Sequence, residues 1–545
     1  MHYVIPFVLA MIVTMAWLPL LVRLGTRWLI VDQPGERKVH SIPIPRVGGV
    51  AMALGVFIAV VLTVNLQMQD RCFLAAAAVL VIFGVLDDRY DLDYRIKLLG
   101  QLLAVGMVVI AGDVQIHTIT LDDRVMLPAW ISLPLTVLFL VGVTNAINLA
   151  DGLDGLAGGT TFLCLCAVAL LSSVGDQGAG TALGLAFAGA VLGFLRFNTY
   201  PASVFMGDAG SQLLGFTIGV LSVRATQGAT SQVSAAIPVL LLALPILDTL
   251  SVMVQRVSEG RSPFSPDKNH IHHKLLALGF GHHEAVMVIY TVQATLFVLA
   301  YVLRYESDLL ILSVVSVFFA LAITVFQTAA RTGWRLRGPR GTAADSPLSR
   351  LVTVMQQPEL LPRMSYRAIS LALLAYASLV VLKTVSFSSD LRLLVTALFA
   401  MTIGSMVILR GKSLSLVEKG ALYVTATVLV YLDAVVVAPS RTISVLAWIA
   451  VSVAALATAV RLRLHNDRRF QLTPLDLIVL FMALVVPNLP GTLRLPQGGA
   501  LAIAKLVIVF YAIEMLVSRS EGRAGWVRIA AAAVLAGLVV RPLLS

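Results

Sequence analysis

Long apolar runs recur along the entire 545-residue chain. About eleven of them precede residue 330 and about seven follow residue 365, and most approach the roughly 20 residues that an apolar helix needs to cross a bilayer. Hydrophobic residues make up 58% of the sequence and charged residues 13%, a balance that excludes an ordinary soluble protein. We therefore predict an all-α fold, a polytopic integral membrane helix bundle.

A polar stretch separates the two sets of apolar runs. Residues 331–365 are basic and contain Gly, Pro and Ser, which is typical of a linker. We predict a first domain over residues 1–330, a cytoplasmic linker over 331–365 and a second transmembrane bundle over 366–545. The second bundle carries no dense acidic or histidine motif, and the sequence assigns it no role.

The basic residues are distributed unevenly between the loops. The net charge is +11, and most Lys and Arg residues fall in every second loop, which the positive-inside rule places in the cytoplasm. The polar motifs fall on the same side, at residues 32–49, 87–93, 145–159, 197–211 and 262–280. We therefore predict one composite site that faces the cytoplasm. No motif indicates a nucleic-acid partner, so we interpret the charge as topology and contact with lipid headgroups.

The densest of these motifs is NAINLADGLDGLAGG, at residues 145–159. Asn145, Asn148, Asp151 and Asp154 recur at every third position. On a helix such positions spread over about half of the circumference, so they converge only if the intervening glycines let the backbone unwind. Carboxylates and carboxamides at the edge of a membrane favour a site for Mg²⁺ and phosphate. A polar loop with capping Asn and Asp residues is the alternative.

Two carboxylates, Asp87 and Asp88, close the third apolar run. At the carboxyl end of a helix they oppose the helix dipole, so capping does not explain them. A surface network with Arg89, Arg95 and Lys97 is one interpretation. The other is that the pair holds a metal ion or takes a proton.

Asp208 starts another apolar run, between Gly207 and Gly210. Helix capping and a functional role are equal alternatives for its carboxylate. Lys38 and His40 belong to a cationic stretch between prolines, for which an ordinary surface loop is the alternative.

His270, His272 and His273 form an HxHH cluster. Zinc is the competing interpretation, but the cluster lacks the HExxH spacing and has no cysteine or carboxylate at a helical offset. An imidazole can also donate a hydrogen bond to a diphosphate oxygen. We therefore favour contact with phosphate over a metal site.

Together these motifs resemble a known family. KVHSIPIPRVGG, DDRYDLD, NAINLADGLDGLAGG, VFMGDAGS and SPFSPDKNHIHHKLLALGF are similar, in this order, to the motifs of the polyprenyl-phosphate N-acetylhexosamine-1-phosphate transferases. That superfamily also contains phospho-N-acetylmuramoyl-pentapeptide transferase. The resemblance covers about residues 1–330. The HIHH and DDxxD forms resemble the branch that uses UDP-GlcNAc, whereas the peptidoglycan branch typically carries a lysine where Asp91 stands.

The resemblance implies a reaction and roles for the residues. A UDP-N-acetylhexosamine would give its sugar 1-phosphate to a polyprenyl phosphate and release UMP, with Mg²⁺ or Mn²⁺ as the cofactor. By analogy Asn148 and Asp208 would be metal ligands, and Asp87 and Asp88 would hold the lipid phosphate and the metal in register or take a proton. The remaining motif residues would contact the substrates: Asp151, Asp154, His270, His272, His273, Lys38, His40 and Lys97.

The resemblance also implies a location and partners. We expect a multi-pass protein of the bacterial cytoplasmic membrane, with the site facing the cytoplasm and the chain forming a homodimer, as related enzymes often do. Two alternatives to a GlcNAc-1-phosphate transferase stay open. One is phospho-N-acetylmuramoyl-pentapeptide transferase activity, and the other is a lipid or sugar transporter, which predicts polar residues near helix centres and related repeats. The second bundle departs from the usual extent of the family.

Overall fold

The computed structural model describes most of the chain. The described residues are 3–33, 43–121, 123–175, 178–228, 231–262, 269–336, 360–384, 412–435, 441–464, 474–485, 499–517 and 525–544, with short pieces between 395 and 403. Most of the predicted linker over 331–365 lies outside these residues.

The chain divides into two compact units. The first comprises Met1–Thr342 with Thr473–Ile478 and Pro490–Leu493, and the second comprises Ala343–Leu472, Val479–Leu489 and Arg494–Ser545. The helices of the first unit are α1 (Val4–Arg27), α2 (Gly48–Thr63), α3 (Met68–Tyr90), α4 (Tyr94–Ile110), α5 (Ala129–Ala150), α6 (Leu156–Val174), α7 (Gly178–Asn198), α8 (Gly207–Gln227), α9 (Ile237–Leu241), α10 (Ala243–Ser258), α11 (Ile271–Ala277), α12 (His282–Val302) and α13 (Asp308–Thr332).

The prediction of a helical membrane protein is confirmed. In the described part of the chain, eight helices are long and apolar enough to cross a bilayer: α1, α3, α5, α6, α7, α12, α13 and the first helix of the second unit. Each apolar run predicted before residue 330 falls on a helix, although the run near residue 245 is divided between α9 and α10.

Two helices form the interior of the first unit. Almost every residue of α6 is buried, as is most of α8, which is expected of helices that are apolar all round. α6 packs against α7 and α12, while α8 packs against α2, α3 and α5. The first turn of α8 therefore lies where several helices converge.

α3 and α8 are antiparallel, and contacts fix their register at both ends. Near one end Asp70 of α3 forms a buried ion pair with Arg224 of α8 (2.8 Å). Near the other end Gly84 lies against Ala209, where a Cβ on Gly84 would stand 2.3 Å from the Ala209 Cα. Small residues allow such close backbone approach between membrane helices. The carboxyl end of α3 is thereby held against the first turn of α8.

Two short antiparallel sheets complete the first unit. β1 (Val31–Asp32) pairs with β2 (Ile44–Pro45), and β3 (Thr118–Thr120) pairs with β4 (Arg124–Met126). The second pair forms a short hairpin whose first strand lies in the alternating run VQIHTITL, at residues 114–121.

The described helices of the remaining chain are α14 (Leu360–Lys383), α15 (Lys412–Val435), α16 (Arg441–Leu464), α17 (Pro474–Val485), α18 (Gly499–Val517) and α19 (Gly525–Leu544). Within the second unit α14 packs against α16, and α18 packs against α15 and α16. Its apolar core includes Tyr376, Val380, Leu432, Val451 and Leu535. The predicted run near residue 400 lies mostly outside the described residues.

A pair of glycine substitutions tests the contact between α3 and α8. Gly84→Ala should lower the melting temperature of the detergent-solubilised protein, because the added methyl group overlaps the Ala209 backbone and overpacking costs about 1–3 kcal/mol. Gly106→Ala is the matched control in α4, because a Cβ there meets nothing within 4 Å. We expect the control to be neutral or stabilising by up to about 1 kcal/mol. Equal changes in melting temperature for both variants would contradict the close contact.

Candidate active site

The carboxylate of Asp88 binds the first turn of α8. The backbone N–H groups of Asp208 and Ala209 donate to Asp88 Oδ1 (2.9 Å) and Oδ2 (3.2 Å). The residue that precedes α8, Met206, supplies no side-chain cap, and Asp208 occupies the second position of the helix. The capping alternative for Asp208 is therefore wrong, and Asp88 caps α8 from the neighbouring helix.

This arrangement explains a carboxylate that sequence alone left unexplained. Asp88 lies near the carboxyl end of its own helix, where its charge is unfavourable, but it faces the positive end of α8, where its charge is favourable. Gly207, at φ +67°, makes room for it, because a Cβ at this position would stand 2.3 Å from Asp88 Oδ2.

Lys97, in the first turn of α4, links two carboxylates. Its Nζ lies 2.6 Å from Asp87 Oδ2 and 3.4 Å from Asp208 Oδ2. The contact with Asp87 is an ion pair without the alignment of a hydrogen bond. The other oxygen of Asp87 accepts from the Leu92 N–H (2.9 Å). One ammonium group thus neutralises carboxylates from two helices.

Asn148 completes this network from α5. Its Nδ2 donates to Asp208 Oδ1 (2.7 Å) and to Ser211 Oγ (2.8 Å). Five of the predicted site residues are thereby joined by direct contacts: Asp87, Asp88, Lys97, Asn148 and Asp208.

The central stretch does not gather around a single point. α5 continues to Ala150, so the predicted unwinding is wrong for Asn145 and Asn148 and holds only from Asp151 onward. Asn145 donates to Gln101 Oε1 (2.8 Å), about one turn from Asn148. Asp151 is exposed directly after the helix. Asp154 accepts from the Ala202 N–H (2.9 Å).

The histidine cluster is held by a carboxylate that sequence analysis missed. His270 Nδ1 lies 2.9 Å from Asp248 Oδ2, and the Ile271 N–H donates to Asp248 Oδ1 (2.6 Å). Asp248 is a buried residue of α10. Its signal in the sequence was a lone carboxylate within an apolar run, which by default indicates a functional position.

His272 faces the turn after α5. A Cβ on Gly152 would stand 2.3 Å from Cε1 and Nε2 of His272, so any other residue at this position would displace the ring. The His272 ring lies 4.3 Å from that of His273. Burial, with a further contribution from His273, lowers the pKa of His272 to about 4. His272 is therefore neutral at physiological pH, and a neutral imidazole has one N–H donor and one nitrogen acceptor.

The network contains oxygen atoms of the kind that a hard metal ion binds. In the described residues no group of three or more His, Cys, Asp and Glu side chains is arranged to hold a metal. Mg²⁺, however, keeps several waters and needs only one or two carboxylates, together with other oxygen ligands. Asp87 and Asp208 already share one cation, and Asn148 brings a carboxamide to Asp208. These residues fit a hard divalent cation.

The predicted substrate contacts fall into separate groups. The three histidines and the turn that carries Asp151 form a patch of their own, and Lys97 belongs to the carboxylate network. Lys38 and His40 lie outside the described residues. Besides Asp248, sequence analysis missed Gln101 and Gln212, whose side chains bond to each other (3.3 Å) next to Asn145.

Comparisons with known proteins agree with the geometry. The family model of glycosyl transferase family 4 matches residues 71–226, the part that contains the carboxylate network. The chain is 37% identical over 305 residues to the probable undecaprenyl-phosphate N-acetylglucosaminyl 1-phosphate transferase of Bacillus subtilis, which covers 55% of this chain and 85% of that protein.

Two further relatives carry similar names. A decaprenyl-phosphate N-acetylglucosaminephosphotransferase of Mycolicibacterium smegmatis is 37% identical over 49% of this chain and 73% of its own. An undecaprenyl-phosphate alpha-N-acetylglucosaminyl 1-phosphate transferase of Escherichia coli is 32% identical over 56% of this chain and 85% of its own. Because such relatives are matched over most of their length, the chain belongs to glycosyl transferase family 4, the polyprenyl-phosphate N-acetylhexosamine 1-phosphate transferases.

Proposed function

We propose that this protein transfers N-acetylglucosamine 1-phosphate from UDP-GlcNAc to a polyprenyl phosphate and releases UMP. The observation that carries the proposal is the network of Asp87, Asp88, Lys97, Asn148 and Asp208 at the adjoining ends of four helices, α3, α4, α5 and α8. The names of the relatives support the sugar and the lipid acceptor. Asp91, where the peptidoglycan branch typically has lysine, favours this donor over UDP-MurNAc-pentapeptide.

The basic loops support a cytoplasmic location for the site. The network lies where α3 ends and α4 begins, beside Arg89, Arg95 and Lys97, and such basic segments stay in the cytoplasm by the positive-inside rule. A nucleotide sugar would then reach the site directly, in the cytoplasmic membrane of a bacterium. We include a homodimer in the proposal on the resemblance to related enzymes alone.

The reaction joins two phosphates of like charge. An oxygen of the acceptor phosphate attacks the sugar-bearing phosphorus of the donor, the bond from that phosphorus to the bridging oxygen breaks, and UMP leaves with the electron pair. A phosphate monoester has a second pKa of about 6, so the acceptor is mostly dianionic at neutral pH. The attack therefore needs no base, and the carboxylates serve better as ligands and positioning groups.

Mg²⁺, or Mn²⁺ in its place, would neutralise charge on the diphosphate and the departing UMP. Asp208 and Asn148 would hold it, with Asp87 beside them. Asp88 is engaged through both oxygens with the start of α8, so its role is to position Asp208. Lys97, which is 30% exposed, would contact a substrate phosphate. The neutral His272, with His270 and His273, would donate hydrogen bonds to the diphosphate, and Asp151 and Asp154 would line the nucleotide pocket.

An apolar groove supports a long-chain lipid acceptor. It lies between α4 and α5, with a volume of about 550 Å³, and its lining includes Leu98, Leu102 and Val141. Leu98 follows Lys97 directly, and Val141 precedes Asn145 by one helical turn. A polyprenyl chain in this groove would bring its phosphate to the ammonium group of Lys97.

The first test removes the charge of Asp208. Asp208→Asn should lower UMP release from UDP-GlcNAc and undecaprenyl phosphate by about 100-fold or more, because a metal ligand is weakened. Asp113→Asn is the matched control. Asp113 is an exposed residue just after the other end of α4, and asparagine also tolerates its backbone conformation, at φ +53°. Normal turnover in well-folded Asp208→Asn protein would end the assignment.

Metal removal gives a second test. EDTA should abolish UMP release, and added Mg²⁺ should restore it, with Mn²⁺ as a substitute. In Asp88→Asn protein, where α8 loses part of its cap, we expect the Mg²⁺ concentration for half-maximal rate to rise by about 10-fold or more. Turnover that persists at full rate in EDTA would exclude the proposed cofactor.

The third test concerns Asp248. Asp248→Asn and His270→Gln should each lower kcat by about 10-fold, because each breaks the contact that orients the histidine cluster. Since both changes remove one interaction, the double variant should be no slower than about the slower single variant. Ser251→Ala is the control, one turn along α10, where the hydroxyl donates only to the Asp248 carbonyl (3.0 Å). If the double variant instead lost kcat by the product of the two single losses, the two residues would act independently and the prediction would be wrong.

A further inference from the structure

Three charged side chains meet inside the second unit. Asp433 of α15 forms ion pairs with Lys383 of α14 (Oδ1 to Nζ, 3.1 Å) and with Lys505 of α18. Tyr376 donates its hydroxyl to Asp433 Oδ2 (3.3 Å). The Lys505 ammonium lies 4.0 Å above the ring of Trp448. Helices α14, α15, α16 and α18 therefore contribute to one polar cluster.

The cluster contains more positive than negative charge. Among the ion pairs of the described residues, one carboxylate faces two ammonium groups, and the side chains of Asp433, Lys383 and Lys505 are only 3%, 7% and 10% exposed. Lys383 also donates to the Asp433 carbonyl, at the end of α15. Lys505 contacts the same Asp433 carboxylate and the face of the Trp448 ring. An uncompensated buried charge in a membrane is costly, so a further anion would stabilise this arrangement.

An apolar cavity adjoins the cluster. It has a volume of about 90 Å³, and its lining includes Ala377, Ala426, Leu429, Val509 and Ile513. The ring of Tyr376 lines the same cavity, while its hydroxyl belongs to the cluster. The cavity therefore begins beside the charges and continues along α14, α15 and α18 toward the other end of the unit. Its size suits a few methylene groups.

The cluster lies at the less basic end of the unit. α14 and α15 end there and α18 begins there, whereas Arg367 and Lys419 lie near the starts of α14 and α15. By the positive-inside rule the basic end is cytoplasmic, which places Asp433 toward the outer leaflet. The chemistry available there is that of lipid headgroups.

We propose that Lys383 and Lys505 bind the phosphate of an anionic lipid whose first methylene groups enter the adjoining apolar cavity. Two ammonium donors suit a phosphate oxygen, and the apolar space below them suits the chain attached to it. This site does not depend on the transferase reaction. A glycerophospholipid and a polyprenyl phosphate share this chemistry, and the lipid used in the test distinguishes them.

The experiment measures lipid binding by the full-length protein. Protein in phosphatidylcholine nanodiscs is titrated with phosphatidylglycerol, with undecaprenyl phosphate and with inorganic phosphate, and bound molecules are counted by native mass spectrometry. Lys505→Gln should weaken binding of the preferred lipid by about 10-fold, the loss expected for one charge-assisted hydrogen bond. It leaves Lys383 paired with Asp433, so the fold and the rate of UMP release should be retained.

Two variants complete the design. Arg367→Gln removes an exposed cation from the opposite end of α14 and should leave lipid affinity unchanged. Ala426→Leu fills the cavity and should weaken lipid binding but not the binding of inorganic phosphate. Equal lipid affinity in wild-type and Lys505→Gln protein would overturn the site. A different result would overturn the identification of the ligand as a lipid. In that result Lys505→Gln weakens binding, Ala426→Leu has no effect, and inorganic phosphate binds as tightly as lipid.

Discussion

The antiparallel contact between α3 and α8 determines the geometry of the first unit. The Asp70–Arg224 ion pair fixes one end, and the bonds from the α8 backbone to Asp88 fix the other. A carboxylate that is unfavourable at the end of its own helix becomes favourable at the start of the next, where such a charge is worth about 0.3–1 kcal/mol and more when buried. The same register brings Asp87 and Asp208 to one lysine.

The fold was largely predictable because apolar length alone indicates membrane helices. What hydropathy could not show is the break between α9 and α10, since both segments are apolar. Pro245 has no N–H for the Leu241 carbonyl, and Gln293 of α12 donates to that carbonyl instead (2.9 Å). A distant glutamine therefore makes the break tolerable within the bundle, and no local pattern contains that information.

The site was predictable to the extent that its residues occur in dense motifs. Asp87, Asp88, Asn148 and Asp208 stood out because polar groups interrupt apolar runs there. The different contacts of these residues depend on helices that are distant in sequence. The cap that Asp88 provides to α8 could therefore not be deduced from the sequence. Asp248 was missed because it stands alone in its run. In a membrane such a residue needs a partner, and the partner, His270, belonged to a motif already identified.

Charge balance explains why the transferase network and the second-unit cluster differ. In the network, the negative charges are Asp87, Asp88 and Asp208, and they face Lys97 and the start of α8. Arg46 forms its close ion pair with Asp32 and lies 3.9 Å from Asp88. The network is therefore rich in negative charge, which suits a divalent cation and then its phosphates. The second-unit cluster has the opposite imbalance and suits an anion directly. In each case the direction of the imbalance follows from counting the charges that are in contact, and it indicates the sign of the ligand that each site would bind.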